Sequence, residues 1–552
     1  MTKPTPGEHA QVLVVGAGPV GLALGLELGL RGIAVTLVEE RARAGAQPRA
    51  KTTNVRSMTH MRRWGIAERL RDAAPLPRDY PTDVAFATAL FGRPLALIPN
   101  ALAGSKLRDS RFPEPAQWVP QYVVEEVMRE RLRTLPTVRL LQATALVGAS
   151  QTEAGATAEI RDLCTGAVRT MTADYLVGAD GARSRVRELM GAKMEGDHAF
   201  AFNLNLILRI PELERTPPEP CAIMYWIVNP ASPGVFSPLD KGGLWAFGIL
   251  LPPGVREMAD EAVLQRVHAA IGRPIDAEIV TRDIWAAHRL IATTYRNGRM
   301  LLAGDACHLH PPFGGYGMNL GIADGVDLGW KLAAMLQGWG GPALLDSYEA
   351  ERRPVHRRTI AEAVANYAVL SDHLLKADLD AESVEGEAAR AAVGREIMAT
   401  KAREFYTLGV VLGSRYEGSP VIVDDGTAPP SEHYAEFEPS AHPGCLAPHA
   451  WLADGRSLYD LLDPGYTLLR LDDDGGQAEA IAAAAQASGV PLVILDLCVE
   501  NLRPLYGAPL ALVRPDQYVA WRGDGVDPAA LVATIRGARS AANSVLEREA
   551  AS

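Results

Sequence analysis

The stretch QVLVVGAGPVGLALGLELGLRGIAVTLVEER, residues 11–41, constrains the fold more strongly than any other part of the chain. A short β-rich run leads directly into a GxGxxG motif, whose glycines are Gly16, Gly18 and Gly21, and a helical run and a second strand follow. This order predicts a βαβ unit. In such a unit the first glycine permits a tight turn, the second lets the backbone approach a pyrophosphate, and the third lets helix and strand pack closely.

The residues around this turn indicate which dinucleotide it binds. Pro19 and Val20 lie inside the motif at the start of the helix, where unpaired backbone N–H groups attract phosphate. Glu39 ends the second strand, 23 residues after Gly16, where a carboxylate can accept hydrogen bonds from both ribose hydroxyls. Because that carboxylate would repel a 2′-phosphate, the site is predicted to bind FAD or NAD and not NADP.

Two further strands end near an acidic residue. In ADYLVGADGARSRVREL, residues 173–189, Asp180 stands between a strand and a helix, although a simple Asx turn would give the same pattern. In GRMLLAGD, residues 298–305, Asp305 follows an apolar strand. Since ligands of open α/β sheets bind at the carboxyl ends of strands, both acids are candidate cofactor contacts.

An unusual loop follows Asp305. The sequence GDACHLHPPFGGYGMNLGIADGVDLGWKLA, residues 304–333, joins a strand to a helix through two adjacent prolines and four glycines. The prolines lack an N–H and have a fixed φ, and the glycines let the backbone approach a ligand closely. A plain linker needs none of these features. We therefore interpret the loop as the binding surface of a flat cofactor with polar edges.

Size, charge and cysteine content exclude several classes of protein. The 552 residues suffice for two to four domains, and a net charge of −11 argues against broad binding to nucleic acid or anionic membranes. No apolar run approaches membrane-spanning length, and the first one, residues 12–15, belongs to a strand rather than a signal peptide, so a cytoplasmic protein is expected. The five cysteines are dispersed and lack a CxxC spacing, which predicts free thiols and no metal site.

The three elements in this order, GxGxxG, then DG, then GDAxHxxPP, resemble the single-component FAD-dependent aromatic hydroxylases of the para-hydroxybenzoate hydroxylase type. The resemblance covers residues 11 to about 360 and includes LLDSYEAERRPV at 344–355. Residues 441–552 resemble the thioredoxin-like C-terminal domain of the phenol hydroxylase and polyketide hydroxylase branches. Without a CxxC motif this domain is expected to be redox-inert and structural, and the resemblance makes a homodimer an expectation.

The resemblance implies an α/β fold in several parts. A Rossmann-like, discontinuous FAD-binding domain would comprise residues 1–190 and 285–400. Residues 191–284 would form an inserted β-sheet domain that binds substrate. A linker at 401–440 would lead to the thioredoxin-like C-terminal domain at 441–552.

The resemblance also assigns residues to FAD. Arg49, in AQPRAKTTNVRSM, stands where the family has an arginine that reaches the phosphate and ribose, and Gln121 resembles a residue on the ribityl side. Asp180 matches an acid implicated in binding FAD and pyridine nucleotide, and Asp305 matches one that binds a ribityl hydroxyl or phosphate. The ADP part of FAD would lie against Gly16, Gly18, Pro19, Val20, Gly21 and Glu39.

The loop after Asp305 would hold the isoalloxazine ring of the flavin. Its prolines would direct bare carbonyls at the ring edge, and the N-terminus of the following helix would stabilise the anionic reduced flavin. His308, Pro312 and Tyr316 are candidates for the catalytic site, although a buried structural histidine and a packed loop aromatic are the plain alternatives. The ring contacts implied by the resemblance are Pro312, Gly315, Gly317, Met318 and Asn319.

The segment between Asp180 and Asp305 contains several strand-like runs, among them FNLNLILRI, PCAIMYWIV and GLWAFGILL. In the family the matching sheet covers the flavin and forms the substrate pocket. Because side chains alternate across a sheet, about half of the aromatic residues here must face elsewhere. The candidate pocket residues are Tyr225, Trp226, Phe236, Trp245 and Phe247.

The resemblance implies a monooxygenase. NADH or NADPH would reduce the FAD, and a C4a-hydroperoxyflavin formed with O₂ would place one oxygen atom on a phenolic or polycyclic aromatic substrate. No nucleic-acid or membrane partner is expected. Three alternatives stay open. The first lies within the same fold: a Baeyer–Villiger or epoxidising monooxygenase, or an enzyme that inactivates an antibiotic. The second is an FAD oxidoreductase that does not activate oxygen, and the third is a non-enzymatic flavoprotein or binding module.

Overall fold

The computed structural model describes residues 8–42, 50–105, 107–251, 254–368, 374–376, 378–500 and 502–538. Within these ranges the chain forms two eight-stranded sheets, one four-stranded sheet and one two-stranded sheet, together with helices. This mixed architecture confirms the predicted α/β class. No helix in the described part of the chain combines the length and the apolar character that crossing a membrane requires.

Runs of strands and runs of helices follow one another along the chain. The strands are β1 (Glu8–Val15), β2 (Val35–Val38), β3 (Thr52–Thr53), β4 (Val84–Ala87), β5 (Pro94–Ile98), β6 (Gln117–Trp118), β7 (Val138–Leu141), β8 (Thr144–Gln151), β9 (Ala156–Asp162), β10 (Val168–Gly178), β11 (Met194–Arg209), β12 (Met224–Ile227), β13 (Gly234–Pro238), β14 (Leu244–Leu250), β15 (Glu278–Ala292), β16 (Arg296–Asn297), β17 (Met300–Leu302), β18 (His308–Leu309), β19 (Tyr466–Arg470), β20 (Leu492–Asp496), β21 (Leu510–Val513) and β22 (Val519–Gly523). The helices are α1 (Pro19–Leu30), α2 (Val55–Arg63), α3 (Ala67–Ala73), α4 (Gln121–Arg133), α5 (Arg185–Leu189), α6 (Glu212–Arg215), α7 (Asp260–Ile271), α8 (Gly317–Leu336), α9 (Pro342–Ala368), α10 (Val384–Thr400), α11 (Ala402–Phe405), α12 (Leu408–Val411), α13 (Gln477–Ala487), α14 (Arg503–Tyr506) and α15 (Pro528–Ile535).

The first eight-stranded sheet carries the three sequence motifs side by side. Its order is β16-β17-β10-β1-β2-β7, with β9 paired to β10 and β8 paired to β9. Strands β17, β10, β1 and β2 are parallel to one another, and residues 12–15 of the central strand β1 are buried, as expected for a strand covered on both faces. Gly16, Asp180 and Asp305 therefore follow three neighbouring strands at the same edge of the sheet.

Helices α1 and α8 pack closely because small residues line their contact. A Cβ atom on Gly325 of α8 would lie 3.0 Å from the carbonyl oxygen of Val20 in α1. A Cβ on Gly321 would lie 2.5 Å from the Val20 side chain. Neither position has room for a side chain without movement of α1. The close contact holds the start of α8 beside the dinucleotide helix.

The second eight-stranded sheet has the order β18-β15-β11-β14-β13-β12-β4-β5. Strands β4 and β5 come from residues before the predicted 191–284 segment, and they extend this sheet beyond β12. One face of the sheet packs against α7, and the opposite face packs against α10. The boundaries proposed from the sequence for the three domains stay predictions.

The C-terminal unit contains the four-stranded sheet β20-β19-β21-β22. Strand β19 is parallel to β20 and antiparallel to β21. One face of this sheet is covered by α13 and α15 and also by Trp330 of α8, which belongs to the same buried cluster. The unit is thus packed directly onto the helix that begins at the predicted flavin loop.

A buried network of charged side chains lies at this junction. Arg514 donates hydrogen bonds to both carboxylate oxygens of Glu351 at 2.7 and 2.9 Å and to Asp516 at 2.7 and 3.0 Å, and it lies 3.2 Å from Asp327. Lys331 donates to Asp327 at 2.9 Å and to Glu351 at 2.5 Å. All five side chains are buried. A network of this kind is stable only while every charge keeps its partners.

Substitution Arg514→Met should lower the free energy of unfolding by about 3–5 kcal/mol, because Glu351 and Asp516 would each lose two buried charged hydrogen bonds. Urea unfolding of the FAD-loaded protein, followed by circular dichroism, measures the change. The matched control is Arg456→Met, since the Arg456 side chain is 60% exposed in the same unit and should change the stability by less than about 0.5 kcal/mol. Equal stability of the two variants would contradict the expectation.

Candidate active site

The glycine loop after β1 has the geometry that the motif predicts. Gly16 adopts a φ of +99°, and a Cβ at this position would lie 2.3 Å from the carbonyl oxygen of Ala179. A Cβ on Gly21 would lie 1.9 Å from the carbonyl oxygen of Gly16. By contrast, a Cβ on Gly18 would meet no protein atom within 4 Å. The loop therefore leaves open space at the N-terminus of α1, which begins at Pro19 and includes Val20.

Glu39 and Gln121 are both connected to this loop. The Glu39 carboxylate accepts a hydrogen bond from the backbone N–H of Ala17 at 2.7 Å. Gln121 donates to Glu125 at 2.9 Å, Glu125 accepts from Arg129 at 2.7 Å, and Arg129 donates to the carbonyl oxygen of Ala17 at 3.2 Å. Glu125 and Arg129 could not be singled out from the sequence, because acidic and basic residues four positions apart are common in helices. Arg49 lies outside the described residues.

Asp180 organises the start of α5. Its carboxylate accepts hydrogen bonds from the Ser184 hydroxyl at 2.5 Å and from the backbone N–H groups of Arg185 at 2.7 Å and Val186 at 3.1 Å. Burial raises the pKa of Asp180 above its ordinary value, although these hydrogen bonds oppose the shift. Asp180 thus lies beside the first glycine turn. It also bonds the backbone of the following helix, as in the Asx turn considered from the sequence.

The acid of the third motif lies in a one-turn helix directly after β17. Asp305 is exposed there, between the buried residues Gly304 and Ala306. Arg187 of α5 donates hydrogen bonds to the carbonyl oxygens of Ala306 at 3.0 Å and Ala182 at 2.8 Å. Arg187 therefore connects the DG turn to the GD turn, and the two acids are held on one side of the sheet.

Asp324 of α8 is the centre of a buried hydrogen-bond network behind this turn. Its carboxylate accepts from the backbone N–H of Gly304 at 3.0 Å, from His308 Nε2 at 2.9 Å, from Arg352 Nε at 2.8 Å and from His356 Nε2 at 2.8 Å. Burial alone would raise the pKa of Asp324, but His356, Arg352 and His308 hold it well below the ordinary range. The network places His308 in the core, with its donor directed at Asp324.

The loop at 311–319 is tied to the rest of the protein by Asn319. The side-chain amide of Asn319 donates to the carbonyl oxygens of Gly315 at 2.7 Å and Thr52 at 3.0 Å. Its oxygen accepts from the backbone N–H of Asn54, which caps α2, at 3.0 Å. Gly317 and Met318 form the first turn of α8. Asn319 thus fixes the loop, the start of α8 and the edge strand β3 relative to one another.

Tyr316 lies beneath the loop and is almost fully buried. A Cβ on Gly314, which has a φ of +81°, would lie 2.3 Å from the Tyr316 ring, so the ring supports the turn above it. The ring packs with Ala363 and Val410. Burial raises the pKa of Tyr316 above its ordinary value. Pro312 and Gly315 lie in the same turn, and the side of Tyr316 away from the loop faces the core.

The predicted pocket aromatics divide between the two faces of the second sheet. Tyr225, Phe236, Trp245 and Phe247 belong to the cluster that packs against α7. Trp226 lies on the opposite face, with its ring centroid 6.3 Å from that of Phe313 in the flavin loop. Strand alternation placed neighbours on opposite faces, but the sequence did not show which face met the loop.

A second aromatic residue reaches the same side of the sheet from β6. The Trp118 indole donates to the carbonyl oxygen of Pro238 in β13 at 3.3 Å, and the ring packs against the cluster that contains Trp226. Lys401 is buried beside these rings, with its ammonium 4.3 Å from the centroid of Trp226 and 2.8 Å from Glu404. We refer to Trp118, Trp226 and Phe313 as the aromatic wall. Sequence reasoning missed Trp118, Phe313 and Lys401.

Comparison with known proteins shows which family has this combination of domains. The family model described as an FAD binding domain matches residues 9–363, and the model described as the C-terminal part of aromatic-ring hydroxylases matches residues 440–545. The chain belongs to the FAD-dependent aromatic-ring hydroxylases. It is therefore a flavoprotein monooxygenase with FAD as its cofactor and NAD(P)H as the co-substrate typical of this family.

Relatives of this hydroxylase match nearly its whole length. It is 31% identical to the FAD-dependent monooxygenase apdD of Emericella nidulans, over 93% of this chain and 88% of that protein. It is 33% identical to the aklavinone 12-hydroxylase DnrF of Streptomyces peucetius, over 86% of this chain and 93% of that protein. The rebeccamycin biosynthetic enzyme RebC with reduced flavin has a TM-score of 0.89 at 34% identity, covering 97% of this chain and all of that one.

The residues of the hydroxylase fit FAD. The open space at Gly18 and the N-terminus of α1 suit the pyrophosphate, and Glu39 lies at the adjacent strand end, where the ribose hydroxyls would be. Asp180 and Asp305 follow neighbouring strands on the path towards the loop. The first turn of α8, with Met318 and Asn319, lies at the far end of that path, where the flavin ring would be held.

Two glycine variants distinguish an effect on the stability of the fold from an effect on FAD binding. Gly18→Ala should leave the fold intact, because its Cβ meets no protein atom, but should lower the affinity for FAD about tenfold or more, since the methyl group occupies the pyrophosphate space. Gly21→Ala should lower both the stability of the fold and the affinity for FAD, because its Cβ overlaps the Gly16 carbonyl. FAD titration by fluorescence quenching and thermal unfolding of the apoprotein measure the two effects. Unchanged FAD affinity in Gly18→Ala would contradict the placement of the cofactor.

Two histidines of the site should make the stability depend on pH. Burial lowers the pKa of His356 to about 3 and that of His310 to about 4. Both imidazoles are neutral in the folded enzyme but bind a proton below about pH 6.5 when the chain unfolds, so stability is complete above pH 6.5 and falls as the pH drops towards 4. The expected slope is roughly 1.4 kcal/mol per pH unit for each histidine. Urea unfolding between pH 4.5 and pH 7.5 measures it.

The matched variants are His310→Leu and His9→Gln. Removing His310 should reduce the slope of the free energy of unfolding against pH by roughly 1.4 kcal/mol per pH unit, the contribution of one titrating group. His9, whose side chain is 54% exposed, serves as the control and should leave the slope unchanged. An identical slope in the wild type and in His310→Leu would show that His310 is not held neutral by the fold.

Proposed function

We propose that this enzyme uses NADH or NADPH and O₂ to hydroxylate a phenolic, polycyclic aromatic substrate. The observation that carries the proposal is the position of the aromatic wall directly beside the flavin loop, with Phe313 contributing to both. Large flat rings stack well on such side chains. Two relatives support the substrate class by their names, as an aklavinone 12-hydroxylase and as a putative polyketide hydroxylase.

The chain's own residues would position the reaction and exclude water. Reduced FAD supplies the chemistry that activates O₂. The N-terminus of α8 presents backbone N–H groups and a positive dipole end, which favours negative charge on the ring edge held there. Pro311 and Pro312 have no N–H and offer only carbonyl groups to their surroundings. The aromatic wall keeps water away from the reacting carbon.

The pyridine nucleotide and the assembly belong to the same proposal. The sequence contains a single GxGxxG dinucleotide motif, at residues 16–21, and this is the FAD loop. NADH or NADPH is therefore proposed to bind without a dinucleotide fold of its own. The family resemblance supports a homodimer.

A turnover experiment tests the proposal. The FAD-loaded enzyme is supplied with NADH or NADPH and with phenols, hydroxybenzoates or polycyclic aromatic ketones, and oxidation of the nucleotide is followed by absorbance. A polycyclic phenol should accelerate oxidation about tenfold or more and should gain one oxygen atom from labelled O₂, measured by mass spectrometry. Nuclear magnetic resonance of the product then locates the new oxygen.

Other outcomes would replace the proposal. Oxygen inserted beside a ketone carbonyl would identify a Baeyer–Villiger enzyme, and nucleotide oxidation without any oxygenated product would leave an FAD oxidoreductase. As matched variants, Trp226→Leu should raise the KM for the polycyclic substrate about tenfold, because the buried indole supports Phe313 of the flavin loop. Tyr225→Phe changes the neighbouring position on the opposite face and should leave the KM unchanged.

A further inference from the structure

Lys51 lies at the edge of the flavin loop. It immediately precedes β3, whose residue Thr52 accepts the Asn319 amide hydrogen bond at 3.0 Å. A Cβ on Gly315 would lie 3.3 Å from the Thr52 side chain, so β3 is in contact with the turn that holds the flavin ring. Because Lys51 is the residue next to Thr52, this contact holds the Lys51 backbone beside the flavin loop.

The side chain of Lys51 extends towards the substrate sheet. Its ammonium lies 5.9 Å from the centroid of the Trp118 ring. Trp118 is part of the aromatic wall and is anchored to β13 through Pro238. The positive charge of Lys51 is thus beside the surface on which an aromatic substrate would stack.

Lys51 lacks the carboxylate partner that the other enclosed lysines have. Lys331 is paired with Asp327 and Glu351, and Lys401 is paired with Glu404. Among the described residues, none forms a salt bridge with the ammonium of Lys51, and the Trp118 ring lies beside it. A half-buried ammonium without an anion pays a desolvation cost that an anionic ligand would offset.

We propose that Lys51 binds a carboxylate of the aromatic substrate that stacks on the aromatic wall. The assignment rests on the proposed function and names the substrate class more closely: an acidic polycyclic phenol. It also identifies a residue that selects charged over neutral substrates. The ionised oxygen would replace the water that solvates the ammonium, at the edge of the flavin loop.

The charge of Lys51 depends on pH within the working range. Burial lowers the pKa of Lys51 to about 8. The protonated form binds the anion, so affinity should be constant below about pH 8 and should weaken as the pH rises above 8. The titratable or charged groups on the segments that adjoin β3 and β6 include Tyr122, Glu125, Asp240, Lys241, His310 and Tyr316.

Binding of a defined probe tests the proposal without turnover. The FAD-loaded enzyme is titrated anaerobically, without NAD(P)H, with 3-hydroxy-2-naphthoate and with its methyl ester, and binding is read from the flavin absorbance. The wild type should bind the carboxylate about 10- to 100-fold more tightly than the ester, as expected for a charged hydrogen bond. Lys51→Met should remove this preference. Lys51→Arg should keep it and should bind equally at pH 7 and pH 10, because arginine stays protonated.

The control is Lys193→Met, which removes the same charge from an exposed position between α5 and β11 and should leave both affinities unchanged. A carboxylate that binds the wild type no better than the ester, or not at all, would overturn the proposal. So would a lower midpoint potential of FAD in Lys51→Met, because it would assign the charge to the flavin. Failure of turnover with intact, Lys51-dependent binding would count against the proposed function alone.

Discussion

The carboxylate of Asp324 is the interaction on which the active-site architecture depends. It lies in α8 and binds the backbone of Gly304 and the ring of His308 on one side. On the other side it binds Arg352 and His356 of α9. One buried charge therefore sets the distance between the strand end of the third motif, the helix behind the flavin loop and the long helix after it. Losing that charge would leave Arg352 buried without its anion, which is why the group stays ionised in the core.

The C-terminal unit is connected to the same region through α2. Arg56 of α2 donates hydrogen bonds to the Gln517 side chain and to the carbonyl oxygen of Asp516 in the C-terminal unit. Asn54, the cap of the same helix, donates to Asn319 at the start of α8. A path of hydrogen bonds thus runs from the β21–β22 turn to the flavin loop. The C-terminal unit is therefore part of the frame that holds the loop, which explains a structural role for a domain without a CxxC motif.

Much of the fold and of the cofactor site could be predicted because the signals are local. The turn at Gly16 and Gly21 needs residues without a side chain, and the strand before it and the helix after it are adjacent in sequence. Glu39 was predicted because the length of one βαβ unit sets its distance from the turn. The substrate side was less predictable: Trp226 and Tyr225 are neighbours of equal apolar character, and only packing against α10 or α7 distinguishes their faces. Lys401 and Trp118 belong to no motif, and the segment that contains Lys51 was matched only for Arg49.

The sequence alone determined the class of the protein: an FAD-dependent aromatic-ring hydroxylase whose three motifs occur in a fixed order. It could do so because each motif is a short segment whose backbone shape follows from its own glycines, prolines and strand ends. The tertiary structure decided which side chains share a space. It placed Asp324 against α9, brought β3 and β6 to the flavin loop, and turned Trp226 and not Tyr225 towards Phe313. Those contacts join residues far apart in the chain, so they depend on the packing of whole elements and not on any local pattern.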